Sequence, residues 1–453
     1  MVHFSTFRHT GNTMKPILTI LLTFTPLLAA EYTITPETVS SLKKICKKVL
    51  PGDKVYFKGG EYRSPFPHIT CSGSVKGDVT LTAYPGERVR IRSSIVIKAN
   101  YLRIEKLHFK GNNENLSYNE VISQWWRPSK AIRKGGLLIE GHHITLKDNA
   151  IGLYPASGVK FKGKSDYLTI DHNIIYNNAW WSTGGTGGLI VKNIHQIDSS
   201  KATKVRITNN LFFGNESRIV SHVFKKGFCT MTIDEGESFL IQQKDDPTKK
   251  GAQSGHYEGR YLVENNLILF NGKGTSLNKA EHIDVVANTL YCNGTTARNT
   301  SAAGIRGNRT NHDTFIDNAV ETCRNGLAFS IVGKDNRFAN NFAKSANPKP
   351  IPGVTYVDTL FHNPKQLDFF TSAFGNRANR LLESFKPMLL RHGIEVKPTG
   401  YRVDLEKQIA TIVASIPKTD KTTIRRYPDR IVIDHIDNRN IRDLPDTFEL
   451  RLK

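Results

Sequence analysis

The stretch LTIDHNIIYNN (168–178) decides the fold, because the chain writes it again as VRITNNLFFGN (205–215), LVENNLILFNG (262–272) and VVANTLYCNG (285–294). In each copy a short β-type run ends on an Asn, and a second Asn follows five residues later. Working outward, the first Asn recurs at 149, 173, 210, 266, 288, 318 and 341, at intervals of 24, 37, 56, 22, 30 and 23. The second recurs at 178, 215, 271 and 293, and Cys323 takes its place in the fifth unit. A period in the twenties means stacked supersecondary units, with the longer intervals carrying loops. The unit is too short for a strand, a helix and two loops, and it lacks the spacing of leucine-rich repeats. Three short parallel strands per coil fit it, giving an all-β solenoid. Asn tolerates a left-handed corner, and its amide can bond the Asn one coil above, so these residues read as scaffold.

The rest of the composition agrees. A chain of 453 residues is too long for one ordinary compact core, but a solenoid grows by stacking. The apolar fraction of 38% excludes disorder throughout. With 63 Lys and Arg against 41 Asp and Glu the formal charge is +22, which raises nucleic acid, an anionic membrane surface or an acidic polysaccharide as partners. From Met14 the text MKPILTILLTFTPLLAA reads as a secretory signal peptide ending at residue 30, with Met14 as the expected translation start. Its apolar run is too short to span a bilayer, and no later segment is long enough. Cleavage would remove Arg8 and Lys15, leave +20, and place the protein outside the cell or in the periplasm, which disfavours nucleic acid.

The mature chain divides into a β-helix with its N-terminal cap over 31–345 and a C-terminal cap and charged, partly helical tail over 346–453. Thr35, Pro36 and the spacing of Val39, Leu42, Ile45, Cys46 and Val49 predict a capping helix stopped by Pro51-Gly52. A bridge between Cys46 and Cys71 would staple that end, while Cys229, Cys292 and Cys323 leave at least one thiol unpaired. No CxxC pair suggests zinc. The segments 366–393 and 401–416 have helical spacing and are expected to cover the open end of the solenoid.

The runs PGDKVYFKGGEYR, VTLTAYPGE, SDYLTIDHNIIYNNAWW, YEGRYLVENNLILFNGKGTS and HIDVVANTLYCN resemble the secreted bacterial right-handed parallel β-helix proteins of the pectate-lyase-like superfamily. The resemblance covers roughly residues 50–365 and implies that fold. It implies no single activity, since the superfamily holds lyases, inverting hydrolases, epimerases, esterases and inert adhesins. The aspartate motifs of its galacturonan hydrolases and mannuronan epimerases are not evident, nor is the Arg-x-Pro-x-x-Arg motif of classical pectate lyases.

Candidate chemistry lies in the loops. The two longest insertions leave the same corner, just after Asn178 and Asn215, and should stack into one wall. All four tryptophans form two adjacent pairs in loop text, Trp125-Trp126 and Trp180-Trp181. Exposed Trp faces suit sugar rings, and the plain alternative is that the pairs pin loops onto the solenoid. The second loop holds Arg218, His222, Lys225 and Lys226, then Asp234, Glu235 and Glu237. Cleaving a uronate polymer by β-elimination requires a neutralised carboxylate and an unprotonated base among cations, a state that lysine reaches when buried beside positive charge. Lys273, between two glycines, is the first choice of base, with Lys279 and His222 as competitors and Arg218 as neutraliser. Asp234, Glu235 and Glu237 could hold Ca²⁺. Trp180, Trp181, Lys279, Arg298, Arg306 and Arg309 would extend the substrate track.

The reading is thus an exported, monomeric polysaccharide lyase acting on an acidic polysaccharide. Its rivals are a hydrolase using two carboxylates among Asp198, Asp234, Glu235 and Glu237, and a non-catalytic glycan-binding protein.

Overall fold

The computed structural model describes residues 29–126, 128–182, 186–225, 228–232, 237–243, 257–294, 303–323, 326–401, 404–436 and 448–452. Nearly all of the proposed leader lies outside them. Among the described residues three parallel sheets hold 11, 11 and 8 strands; each of the eight middle coils gives one strand to each sheet, the end coils lack the third, and the protein is a right-handed parallel β-helix. One coil runs through Asp166–Asp171 in the first sheet, Ile174–Tyr176 in the second and Gly187–Ile194 in the third. The last strand of the second sheet is Val354–Tyr356, so the solenoid continues about ten residues past the expected boundary at 345.

Strand alternation sends every second side chain inward, and parallel register stacks like on like. In the first sheet Leu81, Ile104, Leu146, Ile170, Ile207, Val263, Val285, Phe315 and Phe338 form one unbroken column. The corner that follows carries the first Asn ladder. Each Asn from 149 to 318 donates from its backbone N–H and its amide to Oδ1 of the next Asn, at 2.9 to 3.1 Å. A second ladder runs from Asn178 through Asn215 and Asn271 to Asn293. The left-handed backbone falls on the residue before each ladder Asn and not on the Asn itself. Asp148, His172, Asn209, Asn265, Ala287, Asp317 and Asn340 all have φ between 50° and 59°. Inward-facing amides need the extended half of the corner, so the outward-facing neighbour takes the strained half.

Cys46 is bonded to Cys71. The capping helix is shorter than expected, a 3₁₀ turn Val39–Ser41 and an α segment Leu42–Ile45, which ends where Cys46 enters the bridge. Cys46→Ser is expected to cost about 3.5 kcal/mol by the loop-entropy relation, read as a lower urea midpoint. A second bridge, Cys292–Cys323, adds a covalent rung where the second ladder ends. The side chain of Cys229 lies outside the described residues.

The C-terminal helix Arg377–His392 runs along the flank of the solenoid. Arg377 donates to the Asp317 carbonyl in a late coil, Ser384 meets His172 in a middle coil, and Arg88 of an early coil donates to the His392 carbonyl. The helix therefore straps coils together, where the sequence predicted a lid across the end. Its reason is the apolar outer face of the second sheet, where Ile174, Leu211, Leu267 and Tyr291 share a cluster with Leu381, Leu382 and Phe385. A second helix, Leu405–Ala414, follows, and then a sheet in which Lys418–Arg426, Arg430–Ile436 and Phe448–Leu452 join Ser221–Lys225 and Phe228–Thr232 of the large insertion. Among the described residues no helix is long and apolar enough to cross a membrane.

Helix docking carries a pH dependence. Burial, and then the nearby Arg88, push His392 down to about 4 from 6.5, so the folded state favours the neutral ring. Stability is expected to be full above pH 6.5 and to fall as pH drops toward 4, by up to about 3 kcal/mol. Urea midpoints between pH 7 and pH 4 should show the fall, and His392→Gln should reduce it, leaving the part that comes from His108, which burial also pushes well below 6.5.

Candidate functional site

The first-choice residues are present but engaged. Lys273 lies at the start of the third-sheet strand Lys273–Asn278, 2% exposed, its Nζ 3.4 Å from Oε1 of Glu237, itself buried. A base held inside by its own counter-ion is not offered to a polymer, so Lys273 corrects to a buried ion pair. Arg218 corrects likewise. Its guanidinium lies 3.2 Å from the Trp180 ring centroid and 4.7 Å from that of Tyr401, and its Nε bonds Glu216. Burial depresses its pKa first, against the pull of Glu216.

The tryptophans are anchors. All four are under 10% exposed. Their ring N–H groups donate to backbone carbonyls: Trp125 to Val220, Trp126 to Ile412, Trp180 to Gly214 and Trp181 to Asn113. They fasten loops and the C-terminal region to the second sheet, so Trp180 and Trp181 cannot stack on a sugar.

Lys279 is half-buried at a left-handed corner, and Arg309 is exposed at the corner of the next coil. Arg306 does face outward on the third sheet, in register with Ser276. His222 occupies the strand Ser221–Lys225, with its side chain outside the described residues. Asp234, Glu235, Lys226 and Arg298 also lie outside them. Of the proposed Ca²⁺ ligands, Glu237 is thus the one placed, and it faces Lys273. Among the described residues no three His, Cys, Asp or Glu side chains gather as metal ligands. Asp198 is bound to Lys204 at 2.7 Å, and that contact first of all holds its carboxyl near 2. A carboxyl so acidic makes a poor general acid.

The structure instead opens a groove on the outer face of the third sheet. Inward residues Ile95, Leu137, Val159 and Leu189 build the core, and the alternate positions Val96, Leu138, Lys160 and Ile190 face outward in register. The groove holds about 660 Å³ and is lined by Val96, Leu138, Lys160, Ser157 and Thr186, with Arg133 and Lys134 on the loop leading into Leu137–Glu140. A second hollow of about 220 Å³ shares Ser94 and Lys134 with it and adds Arg63, Arg92 and Lys110, the two arginines sharing Glu61 as counter-ion and Lys110 paired with Glu114 at the surface. Among the described residues no carboxylate lines either hollow. The rim of the groove is the corner that sequence spacing assigned to the stacked loops: Thr186 lies on the insertion after Asn178, and most of the other lining residues come from earlier coils.

Lys160 stands out within the groove. It is half-buried, and burial first, then Lys192 and Lys162, hold its ammonium below the ordinary 10.5. Desolvation and like charge both favour the neutral amine. Sequence reading passed over it because VKFKG looks like any half-buried strand with solvated lysines.

No family model and no curated protein matches the chain. Solved structures with a similar fold include a rhamnogalacturonan lyase at 12% identity and TM-score 0.43, covering 76% of this chain and 94% of that one. The pectate lyase Pel9A is 13% identical with TM-score 0.37 over 72% of this chain and 74% of its own. A mannuronic acid-specific family 6 lyase from human gut microbiota is 12% identical with TM-score 0.34, over 85% and 99%.

Proposed function

We propose that the third-sheet groove binds an acidic, uronate-containing polysaccharide and cleaves it by β-elimination with Lys160 as the base. One observation carries this reading: a half-buried lysine with a depressed pKa, on the floor of the larger of two joined hollows whose lining carries cations and, among the described residues, no carboxylate. Arg133 and Lys134 are the groups available to hold and neutralise the uronate carboxylate, which acidifies the neighbouring C–H. Neutral Lys160 then takes that proton, the C–H pair becomes the C–C double bond, and the glycosidic oxygen leaves with its bonding pair and is protonated by water. The polymer track would run along Lys134 toward Arg92 and Arg63.

The chain should generate ultraviolet absorbance from unsaturated sugar ends on at least one of polygalacturonate, alginate or a glycosaminoglycan, tested with and without added Ca²⁺. Reducing ends without that absorbance would replace elimination by hydrolysis. Binding without products would leave a glycan-binding protein.

A further inference from the structure

On another face, between the first sheet and the helix Arg377–His392, lies a cavity of about 500 Å³. Three of its lining side chains form a chain of hydrogen bonds. Asp148 Oδ1 is 2.6 Å from His172 Nδ1, and His172 Nε2 is 2.9 Å from Ser384 Oγ. Ser384 Oγ is also 2.6 Å from the Leu381 carbonyl.

The placement follows from the ladder. Asp148 and His172 are the left-handed residues before Asn149 and Asn173, so they project outward from consecutive coils in one column. A carboxylate only accepts, so the contact with Asp148 puts a proton on Nδ1, and the neutral ring turns its Nε2 lone pair to Ser384. The ring is fixed from the side by Phe385, stacked at 4.4 Å and 9°. Ser384 is exposed on the helix, and its O–H can donate either to Leu381 or to Nε2. Met388 and Pro387 give the cavity an apolar side, and Lys54, Lys106 and Arg391 are cationic donors in its lining, with Glu105 beside Lys106.

We propose that Ser384, His172 and Asp148 form an ester-hydrolysing site for short acyl groups, with Ser384 as nucleophile, His172 as base and Asp148 as positioning residue. Ser384 Oγ bonds to the ester carbonyl carbon while its proton passes to His172 Nε2. The carbon–oxygen bond to the alcohol breaks, and the alcohol leaves with that proton. Water then gives a proton to Nε2, attacks the acyl carbon and releases the acid as Oγ recovers its hydrogen. Lys106 or Arg391 would meet the charge developing on the carbonyl oxygen.

The test is fluorophosphonate labelling of the full chain, with the adduct located by peptide mass spectrometry and p-nitrophenyl acetate hydrolysis followed in parallel. An adduct on Ser384 is expected, lost in Ser384→Ala, which stays folded at the assay temperature because Arg377, Arg88 and the packing of Leu381, Leu382 and Phe385 still hold the helix. Labelling and hydrolysis should fall at least about 100-fold in His172→Gln. Asp148→Asn should slow labelling by about tenfold or more without lowering the melting temperature, since it disturbs the tautomer and not the packing. No adduct on Ser384, equal labelling in His172→Gln, or unchanged hydrolysis in Ser384→Ala overturns the proposal. All three readouts are independent of polymer cleavage at Lys160.

Discussion

Lys160→Ala is expected to lower the rate of polymer cleavage by about 1,000-fold or more, within the range for loss of a general base, with thermal unfolding close to the parent. The side chain is half-buried on an outer face, so its loss opens no core cavity. Lys160→Arg separates the two roles of the residue. A guanidinium keeps the positive charge but does not deprotonate, so this variant should still bind the polymer and remain inactive. The neighbouring cations give a signed pH test. Lys162 and Lys192 help depress the Lys160 pKa, and the active form is the neutral amine, so the rate should climb with pH along a limb below 10.5. Removing both neighbours raises the pKa of Lys160 and should move that limb to higher pH. Full activity in Lys160→Arg, or a limb that does not move, would break the assignment.

The difference between what was legible and what was not follows the direction of the side chains. Inward positions are repetitive, since each must match the residue one coil away, so the Asn ladders and the β-type runs declared the solenoid. The second ladder left a further mark that sequence reading missed, a column of small residues at the start of the third-sheet strands. A Cβ on Gly158 would stand 2.7 Å from Asn178 Nδ2, and one on Gly188 2.9 Å from Asn215 Cγ, so these positions are closed to larger residues. Outward positions carry no such constraint. Whether Trp180 meets water or a helix depends on what the chain does some 200 residues later, where Tyr401 comes back over Arg218. The same holds for Lys273, whose partner Glu237 arrives from the preceding third-sheet strand across the 36 residues between them. His172 and Ser384 are 212 residues apart, and no spacing rule joins a solenoid corner to a helix packed on its flank.

Asn210→Leu should cost about 4 kcal/mol or more, because it orphans several buried groups at once, each worth roughly 1–3 kcal/mol. Asn210 Oδ1 accepts from both the backbone and the amide of Asn173, and its own amide donates to the Ile170 carbonyl and to Asn266 Oδ1. The site is fully buried, so water cannot replace these bonds without opening the corner. Asn210→Asp keeps the acceptor but removes the donors. It sets a carboxylate against the Ile170 carbonyl and Asn266 Oδ1, and its cost should be larger at pH 7 than at pH 4.5, where protonation restores one donor. A broken rung in a solenoid weakens one nearest-neighbour interface, which alone would let the two halves unfold separately. The helix Arg377–His392 acts against that, since its contacts with Arg88, His172 and Asp317 span both sides of the rung. A single urea transition at a lower midpoint is therefore expected for Asn210→Leu. Two transitions should appear when the strap is also undone by Arg377→Ala with Arg88→Ala and with Leu381→Ala and Phe385→Ala, which remove its apolar packing.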